Sequence, residues 1–190
     1  MGKVTKEVLD FFESRRSVSV NFLGPPGPNH GQLSDILKMG LRCPDHGRLE
    51  PWRILVISEE NAKNKVVSAM DRLGQKRDMD KDKLEKSKSR FLKSPLILAV
   101  IASPKEGRIP IEEQILSTGA LCMCILNAAL AHGWGANWLT GWTAHDPEFR
   151  GKVLGLSEHE SVAGYIHIGT KLKLLEDRDR PDLNDIVGYL

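Results

Sequence analysis

Hydrophobic residues in the first part of the chain recur at the spacing of an amphipathic helix. Val4, Val8, Phe11 and Phe12 follow a period near 3.6 residues, and Thr5 is a residue type that caps helix N-termini. The same spacing, bounded by proline, glycine or polar residues, predicts helices elsewhere in the chain. These helices are expected over residues 32–42, 61–70, 76–93, 111–132 and 147–154.

Short apolar runs rich in branched residues predict the strands of a sheet. Residues 53–57 and 96–102 are expected to be buried strands, residues 161–169 a last core strand, and residues 136–139 a short strand. Strands that alternate with helices indicate an α+β or α/β fold with three or four strands. At 190 residues with a hydrophobic share of 41%, the chain is expected to form one domain, residues 1–190.

The longest apolar stretch, residues 116–130, lies inside the predicted helix 111–132. Ser117, Thr118 and Asn127 interrupt this stretch, and it is too short to span a bilayer. A helix that is apolar on nearly every side is enclosed by protein, either in a core or across a subunit interface. We therefore expect a central helix and no membrane partner.

Bulk charge excludes a general affinity for nucleic acid, because 27 basic and 25 acidic side chains leave a net charge of only +2.

The three cysteines are odd in number, lack CxxC spacing and follow no cleavable leader pattern, which favours a reducing, cytoplasmic location. The six histidines show no recognised ligand spacing, so no metal site is expected. No GxSxG, HExxH, Walker A or GxGxxG motif is present.

A basic pair followed by a hydroxyl, Arg15-Arg16-Ser17, stands where the first helix is expected to end. Guanidinium groups offer a planar fork of donors that suits a phosphate, and the serine hydroxyl adds a short donor. The alternative is that both arginines only oppose the negative end of the helix dipole. These three residues alone favour the alternative, because cations are common in the last turn of a helix.

Two further turns carry cations, one with Arg42 and His46 after the second helix and one with Arg178 and Arg180 in the tail. The tail, residues 171–190, is polar and is expected to wrap over a surface. Three such turns could bind one phosphorylated ligand. Trp138, Leu139 and Thr140 offer apolar surface and a hydroxyl, which suit a flat aromatic ring. Packing of the tryptophans in the core is an equally good alternative.

Several blocks, in the same order along most of the chain, resemble the nitroreductase family of FMN-dependent oxidoreductases. They are FESRRS at 12–17, RCPDH at 42–46 with PWR at 51–53, STGA at 117–120, AHGWG at 131–135 and YIHIGT at 165–170. The Asp-His pair and the short chain look most like a small NAD(P)H nitroreductase subgroup of this family. The resemblance implies an α+β fold with a central, mostly antiparallel sheet flanked by helices. It also implies an intertwined homodimer, with flavin at the subunit interface beside a long buried helix, residues 111–132.

The resemblance further implies which residues bind the cofactors. Around the FMN phosphate and its ribityl or pyrimidine edge they are Arg15, Arg16, Ser17, Arg42, His46, Arg178 and Arg180. On the far side of the flavin they are Trp138, Leu139 and Thr140. The nicotinamide nucleotide is expected at Ala128, Ala129, Leu130, Ala131, His132 and Gly133.

The implied reaction transfers electrons from NADH or NADPH through FMN to a nitroaromatic, a quinone or a related electron-poor acceptor. No catalytic side chain is required, because the cofactor carries the chemistry. Positive charge is needed near the pyrimidine end of the flavin, and Arg16 or Arg42 is expected to supply it. Larger members often carry lysine where this chain has Ser19, so an altered redox potential or a narrower acceptor range is expected.

Two other functions stay open from the sequence. A protein of the same fold could bind flavin for storage or redox sensing without turnover. The cation-bearing turns could also bind a different phosphorylated ligand with no redox chemistry. The absorption spectrum of the purified protein separates the flavin-binding functions from the last one.

Overall fold

The computed structural model describes residues 2–190 and has one antiparallel sheet between two layers of helices. Its helices are α1 (Lys6–Ser14), α2 (His30–Gly40), α3 (Glu60–Lys76), α4 (Lys81–Lys93), α5 (Ile111–Ala131) and α6 (Trp142–His145). Its strands are β1 (Leu23–Gly24), β2 (Trp52–Ile57), β3 (Leu96–Ala102), β4 (Gly135–Leu139) and β5 (Ser161–Lys171). Short 3₁₀ segments lie at Val20–Phe22, His46–Arg48 and Leu183–Asp185, and a π-helical turn lies at Phe149–Val153.

Strand β5 organises the sheet, because β1, β3 and β4 all pair with it and β2 pairs with β3. All of these pairings are antiparallel, which confirms the expected sheet and the α+β class. The sequence predicted three or four strands, and the additional one is β1. Its two residues pair with the end of β5, Leu23 opposite Lys171 and Gly24 opposite Thr170.

Strand β3 separates two hydrophobic cores because its side chains alternate across the sheet. Leu96, Leu98 and Val100 pack with α2 and α5 in one core. Ile97, Ala99 and Ile101 pack with α3, α4 and the π-helical turn in the other core. Every residue of β3 is buried, as predicted for residues 96–102. The prediction of a buried strand at residues 53–57 is wrong, because β2 is an edge strand in which only Ile57 is buried.

Helix α5 packs against the sheet and α2 along its C-terminal half. Gly40 of α2 allows this close approach, since a Cβ there would overlap the side chain of Ile125. The N-terminal half is less covered, and Ile115 and Leu116 are exposed, the latter to 73%. By length and composition alone α5 could cross a membrane, but half of that apolar window is buried in protein. It is therefore the expected core helix, with an uncovered apolar end.

Two of the predicted helices differ from those observed. The charged run 76–93 is broken at residues 77–80, and the Asp80 carboxylate caps α4 by accepting the N–H of Lys83 at 3.0 Å. The segment 147–154 forms a π-helical turn, and Asp146 accepts the N–H of Phe149 at 2.7 Å, as a capping carboxylate does. The tail from 172 to 190 is exposed except at Leu175, which packs beside β1.

Candidate functional site

The chain leaves α1 in an extended conformation at Arg15. Arg15 is the C-cap residue, with φ −60° and ψ 132°, and its N–H donates to the carbonyl of Phe11 at 2.8 Å. Three residues later the N–H of Val18 donates to the carbonyl of Ala136 at 2.8 Å, which fixes the segment against β4. Buried Val18 and Val20 then alternate with the more accessible Ser17 and Ser19.

Arg15 has a donor that the chain leaves unused. Its Nη2 donates to Ser17 Oγ at 3.4 Å, but its Nε is buried and has no hydrogen-bond partner among residues 2–190. Burial lowers the pKa of the Arg15 guanidinium, and the nearby positive charges of Arg180, Arg178 and Arg16 lower it further. A buried donor among converging cations fits an anionic ligand, since such a donor is costly to leave unsatisfied.

The C-terminal tail returns to this turn and supplies one carboxylate. The Arg16 guanidinium donates to the carbonyl of Glu176 and lies 3.7 Å from the Asp177 carboxylate. Arg180 Nη2 lies 2.7 Å from the same carboxylate. The backbone N–H of Arg178, then Arg180 and Arg16, hold the pKa of Asp177 below its usual value. The two tail arginines therefore do lie beside Arg15 and Arg16, with Asp177 between the guanidinium groups.

We call the cluster of Arg15, Arg16, Arg178 and Arg180 the arginine turn. A cavity of about 290 Å³ opens beside it. Two of its cations, Lys171 and Lys173, were not predicted from the sequence. The signal was their alternation at the end of the strand predicted over residues 161–169, because residues two apart lie on one face of a strand. The cavity is lined by Phe11, Ser14, Arg15, Arg16, Val18, Leu130, Lys171, Lys173, Leu174 and Leu175.

Within one chain, Arg42 and His46 do not join the arginine turn, contrary to expectation. His46 Nδ1 lies 2.7 Å from the Glu113 carboxylate, in the first turn of α5. Leu130 at the arginine turn is 17 residues further along α5, a distance of about 25 Å at 1.5 Å per residue. His46 and the arginine turn thus lie at opposite ends of one helix, whereas Arg42 lies nearer the middle, two residues beyond Gly40, which packs against Ile125.

The segment that contains residues 42–46 and 51–53 borders a larger cavity of about 810 Å³. The Asp45 carboxylate shapes its loop by accepting the N–H groups of Leu49 at 3.2 Å and Glu50 at 2.8 Å. Arg48 and Glu50 adopt left-handed backbone conformations, with φ of 53° and 48°, which are costly for residues other than glycine. The cavity is lined by Leu41, Cys43, Asp45, Arg48, Glu50, Trp52, Arg53, Ile54, Ser103 and Lys105.

Arg53 forms a paired contact with a nearly buried carboxylate at this cavity. Its Nε and Nη2 lie 2.6 and 2.7 Å from the two oxygens of Glu160. The Arg53 guanidinium is the main reason that the pKa of Glu160 falls to about 2. The pair ties β2 to the start of β5 and is structural, because both charges are satisfied within the chain.

Trp138 and Leu139 cannot line one surface, because successive strand residues face opposite sides of the sheet. Trp138 Nε1 donates to the carbonyl of Ala163 at 3.2 Å, and its ring packs in the core that contains α5. Leu139 faces a different cavity, and Thr140 after it is exposed. Within one chain, residues 138–140 therefore do not form a single surface, and their contact with the flavin stays a prediction.

The end of α5 offers little surface to a nucleotide. Ala128 and Ala129 are buried, and Leu130 reaches only the arginine-turn cavity. His132 Nδ1 bonds to the helix carbonyl of Ala128 at 2.8 Å. Contact between this segment and a nucleotide is therefore limited to Leu130 and the accessible residues 131–133. Residues 2–190 contain no group of three or more histidine, cysteine or acidic side chains placed to hold a metal.

Comparison with known proteins places these features in context. A sequence model of the Nitroreductase family matches residues 12–170. "Putative NAD(P)H nitroreductase YdjA" of Escherichia coli K12 is 30% identical over 185 residues, which cover 96% of this chain and 99% of that protein. The crystal structure of a nitroreductase-like family protein from Bacillus cereus superposes with a TM-score of 0.81 at 22% identity, covering 100% and 98% of the two chains. A nitroreductase with bound FMN from Bacteroides fragilis superposes with a TM-score of 0.74 at 20% identity, covering 98% and 100%.

Proposed function

The chain belongs to the nitroreductase family, and from that premise we propose that it is an FMN-dependent NAD(P)H oxidoreductase. Its acceptors are nitroaromatics, quinones or related electron-poor compounds. The names of the curated relatives support NAD(P)H as the electron donor, and the B. fragilis fold neighbour supports FMN. We further propose that residues 1–190 act as one cytoplasmic domain.

The unused Nε of Arg15 carries this proposal. A flavin mononucleotide ends in a phosphate that bears nearly two negative charges at neutral pH, and its three oxygens accept several hydrogen bonds at once. Arg15, Arg16, Lys171 and Lys173 line the cavity and offer the matching donors, and the charges of Arg178 and Arg180 act on Arg15 from nearby, while Asp177 removes only one unit of this charge. The residues present therefore fit the phosphate of FMN.

The protein supplies binding and orientation rather than a reacting side chain. Bound FMN would carry two electrons from NAD(P)H to the acceptor, which takes them up with two protons, one delivered with NAD(P)H and one from solvent. Ser17 would offer its hydroxyl to the ribityl chain, and the segment 15–19, fixed against β4 by Val18, would hold the cofactor in place. Leu130 and Leu175 keep water from the apolar side of the phosphate cavity.

We propose that the functional unit is a homodimer with flavin at the interface. One chain separates the arginine turn from His46 by about 25 Å of helix. If two α5 helices pack antiparallel about a two-fold axis, the N-terminal end of one meets the C-terminal end of the other, and the two groups meet. Uncovered apolar side chains that suit such an interface are Val4, Val8, Leu9, Phe12, Ile111, Ile115 and Leu116.

The test begins with the spectrum of the purified protein and its NAD(P)H oxidation with and without a nitroaromatic or quinone. We expect a yellow protein that elutes as a dimer and oxidises NAD(P)H when the acceptor is present. Bound flavin without acceptor-dependent turnover would indicate a storage or redox-sensing protein instead. A colourless protein that does not take up added FMN would overturn the proposal, and a monomer-sized elution would overturn the dimer.

A further inference from the structure

The hydroxyl of Tyr165 lies inside the protein without a hydrogen-bond partner from the described chain. Tyr165 is in β5, is 2% exposed, and packs edge-on against the Phe91 ring at 5.2 Å between centroids. Its Oη forms no hydrogen bond within residues 2–190. Burial raises the pKa of Tyr165 to about 12, and the nearby Thr143 side chain opposes this shift. The group therefore stays a neutral hydroxyl that can both donate and accept a hydrogen bond.

Trp142, the first residue of α6, has a second group of this kind. Its Nε1 is buried and has no hydrogen-bond partner in the part of the chain that the structure describes. The indole ring packs edge-on against Phe149 at 5.8 Å between centroids, which holds its orientation. An indole N–H can only donate, and a buried donor that stays unpaired is costly. An acceptor is therefore expected beside it.

Trp142 and Tyr165 line the same small cavity, of about 20 Å³, where α4, α6 and β5 meet. We call it the α6 cavity. Thr143, His167 and Arg90 also line it, and none of its lining residues is acidic. A single water molecule needs about 10–15 Å³ of such volume, so the α6 cavity can hold one water and nothing larger.

His167 gives the α6 cavity an acceptor. Ser94 Oγ donates to the carbonyl of Arg90 at 3.0 Å and lies 2.8 Å from His167 Nδ1. Because that carbonyl takes the hydroxyl proton, Nδ1 carries the imidazole proton and Nε2 keeps its lone pair. His167 stays neutral, since burial, and then the charge of Arg90, lower its pKa to about 3.

These groups select the kind of ligand that fits. The N–H of Trp142 requires an acceptor, which a metal ion or an ammonium group does not provide, and the cavity has no acidic side chain to attract a cation. The lone pair of His167 Nε2 disfavours an anion. A water molecule both accepts and donates, and buried waters form about three hydrogen bonds to polar groups that would otherwise be unpaired.

We propose that one resident water molecule occupies the α6 cavity, accepts the indole N–H of Trp142 and bonds to the Tyr165 hydroxyl. This water joins α6 to β5 through two side chains that do not bond to each other, and so it stabilises the fold. The inference goes beyond the proposed function and does not depend on it, because neither side chain lines the arginine-turn cavity.

The first test is a crystal structure of the protein as purified, grown with bromide in place of chloride, at a resolution that shows ordered water. We expect one density peak within about 3.2 Å of both Trp142 Nε1 and Tyr165 Oη, without an anomalous signal from bromide. A cavity without density would overturn the inference. An anomalous peak there would also overturn it, since the ligand would then be a halide ion.

The second test compares Tyr165→Phe with Tyr189→Phe, the same change at a residue that is 94% exposed. The readout is denaturant unfolding at a fixed concentration of protein and FMN. We expect Tyr165→Phe to raise the unfolding equilibrium constant about fivefold, because the water loses a partner, and Tyr189→Phe to leave it unchanged.

In a dry cavity the Tyr165 hydroxyl would be unpaired, and its removal would leave the stability equal or higher. Such a result for Tyr165→Phe would overturn the inference. Neither readout depends on turnover, so a protein that folds this way but does not oxidise NAD(P)H would contradict the proposed function alone.

Discussion

The two basic motifs at opposite ends of α5 differ in how far the chain satisfies its own charges. At the N-terminal end, His46 lies against Glu113, Arg53 pairs with Glu160, and the Asp45 carboxylate accepts backbone N–H groups, although Arg48 and Lys105 at the larger cavity form no ion pair within residues 2–190. At the C-terminal end, several cations converge, Asp177 is the one carboxylate among residues 2–190 that pairs with them, and Arg15 keeps a buried donor without a partner in that range. Satisfied charges indicate a scaffold and unsatisfied ones a ligand site, so changes at the two ends should affect different properties.

The largest expected effect is on cofactor binding at the arginine turn. Arg15→Ala should weaken FMN binding about a hundredfold, because the phosphate loses a partly desolvated charged partner. The free energy of unfolding without cofactor should stay nearly constant, since the Arg15 side chain makes only one long hydrogen bond within residues 2–190, to Ser17, and the backbone bond to Phe11 remains in the variant. Equilibrium titration with FMN and denaturant unfolding measure the two quantities.

Arg108→Ala is the matched control, because Arg108 is exposed and forms no ion pair within residues 2–190. Comparable FMN affinity in both variants would mean that Arg15 does not bind the cofactor, and the proposed difference between the two ends of α5 would then be wrong.

The next effect is on stability at the scaffold end. Glu160→Gln should lower the free energy of unfolding by about 2 kcal/mol, less than for a fully buried ion pair because the Arg53 side chain is 36% exposed. Intrinsic FMN affinity should change little.

The same pair predicts a dependence on pH. The pKa of Glu160 is about 2 in the folded protein and near 4.5 when unperturbed, so its stabilising contribution is complete above pH 4.5 and is lost as the pH falls toward 2. The stability difference between the unaltered protein and Glu160→Gln should shrink over that interval in acid. A difference that is constant with pH would argue against the ion pair.

A smaller effect is expected where the tail supplies its own anion to the arginine turn. Asp177→Asn should tighten FMN binding about fivefold, because the Asp177 carboxylate lies between Arg16 and Arg180 and competes with the phosphate. Asp179→Asn changes the net charge equally at a residue that forms no ion pair within the described part of the chain. Identical titrations of the two variants would mean that Asp177 does not compete.

The smallest effect belongs to the exposed pair at the start of α5. His46→Gln should change the free energy of unfolding by less than about 0.5 kcal/mol, as is usual for solvent-exposed ion pairs. A loss of several kcal/mol would show that His46 is part of the folded scaffold in a way that its contact with Glu113 does not explain.

Local pattern predicted the main elements of the fold well. The apolar run 96–102 matches β3 residue for residue, and helix 111–132 matches α5 within one residue. Strand β1 was missed because its two residues are a strand only by pairing with the end of β5, far away in sequence. The prediction that residues 53–57 are buried was wrong because hydrophobic content does not reveal which strand lies at the edge of a sheet.

The site was also predictable only in part, because local sequence does not show which distant residues meet in the folded chain. The triplet at residues 15–17 and the tail pair were visible as cation-bearing turns, and the family resemblance linked them to one phosphate. Lys171 and Lys173 were missed because they follow the predicted end of the last strand. Only the folded chain shows that they line the same cavity as Arg15 and Arg16.

The most direct test of the central claim, that the arginine turn binds the phosphate of FMN, is a paired titration of the flavin-free protein with FMN and with riboflavin. The two compounds share the ring and the ribityl chain and differ only in the phosphate. The account predicts that FMN binds at least about a hundredfold more tightly, and that Arg15→Ala removes most of this preference. Equal affinity for both compounds in the unaltered protein would contradict it.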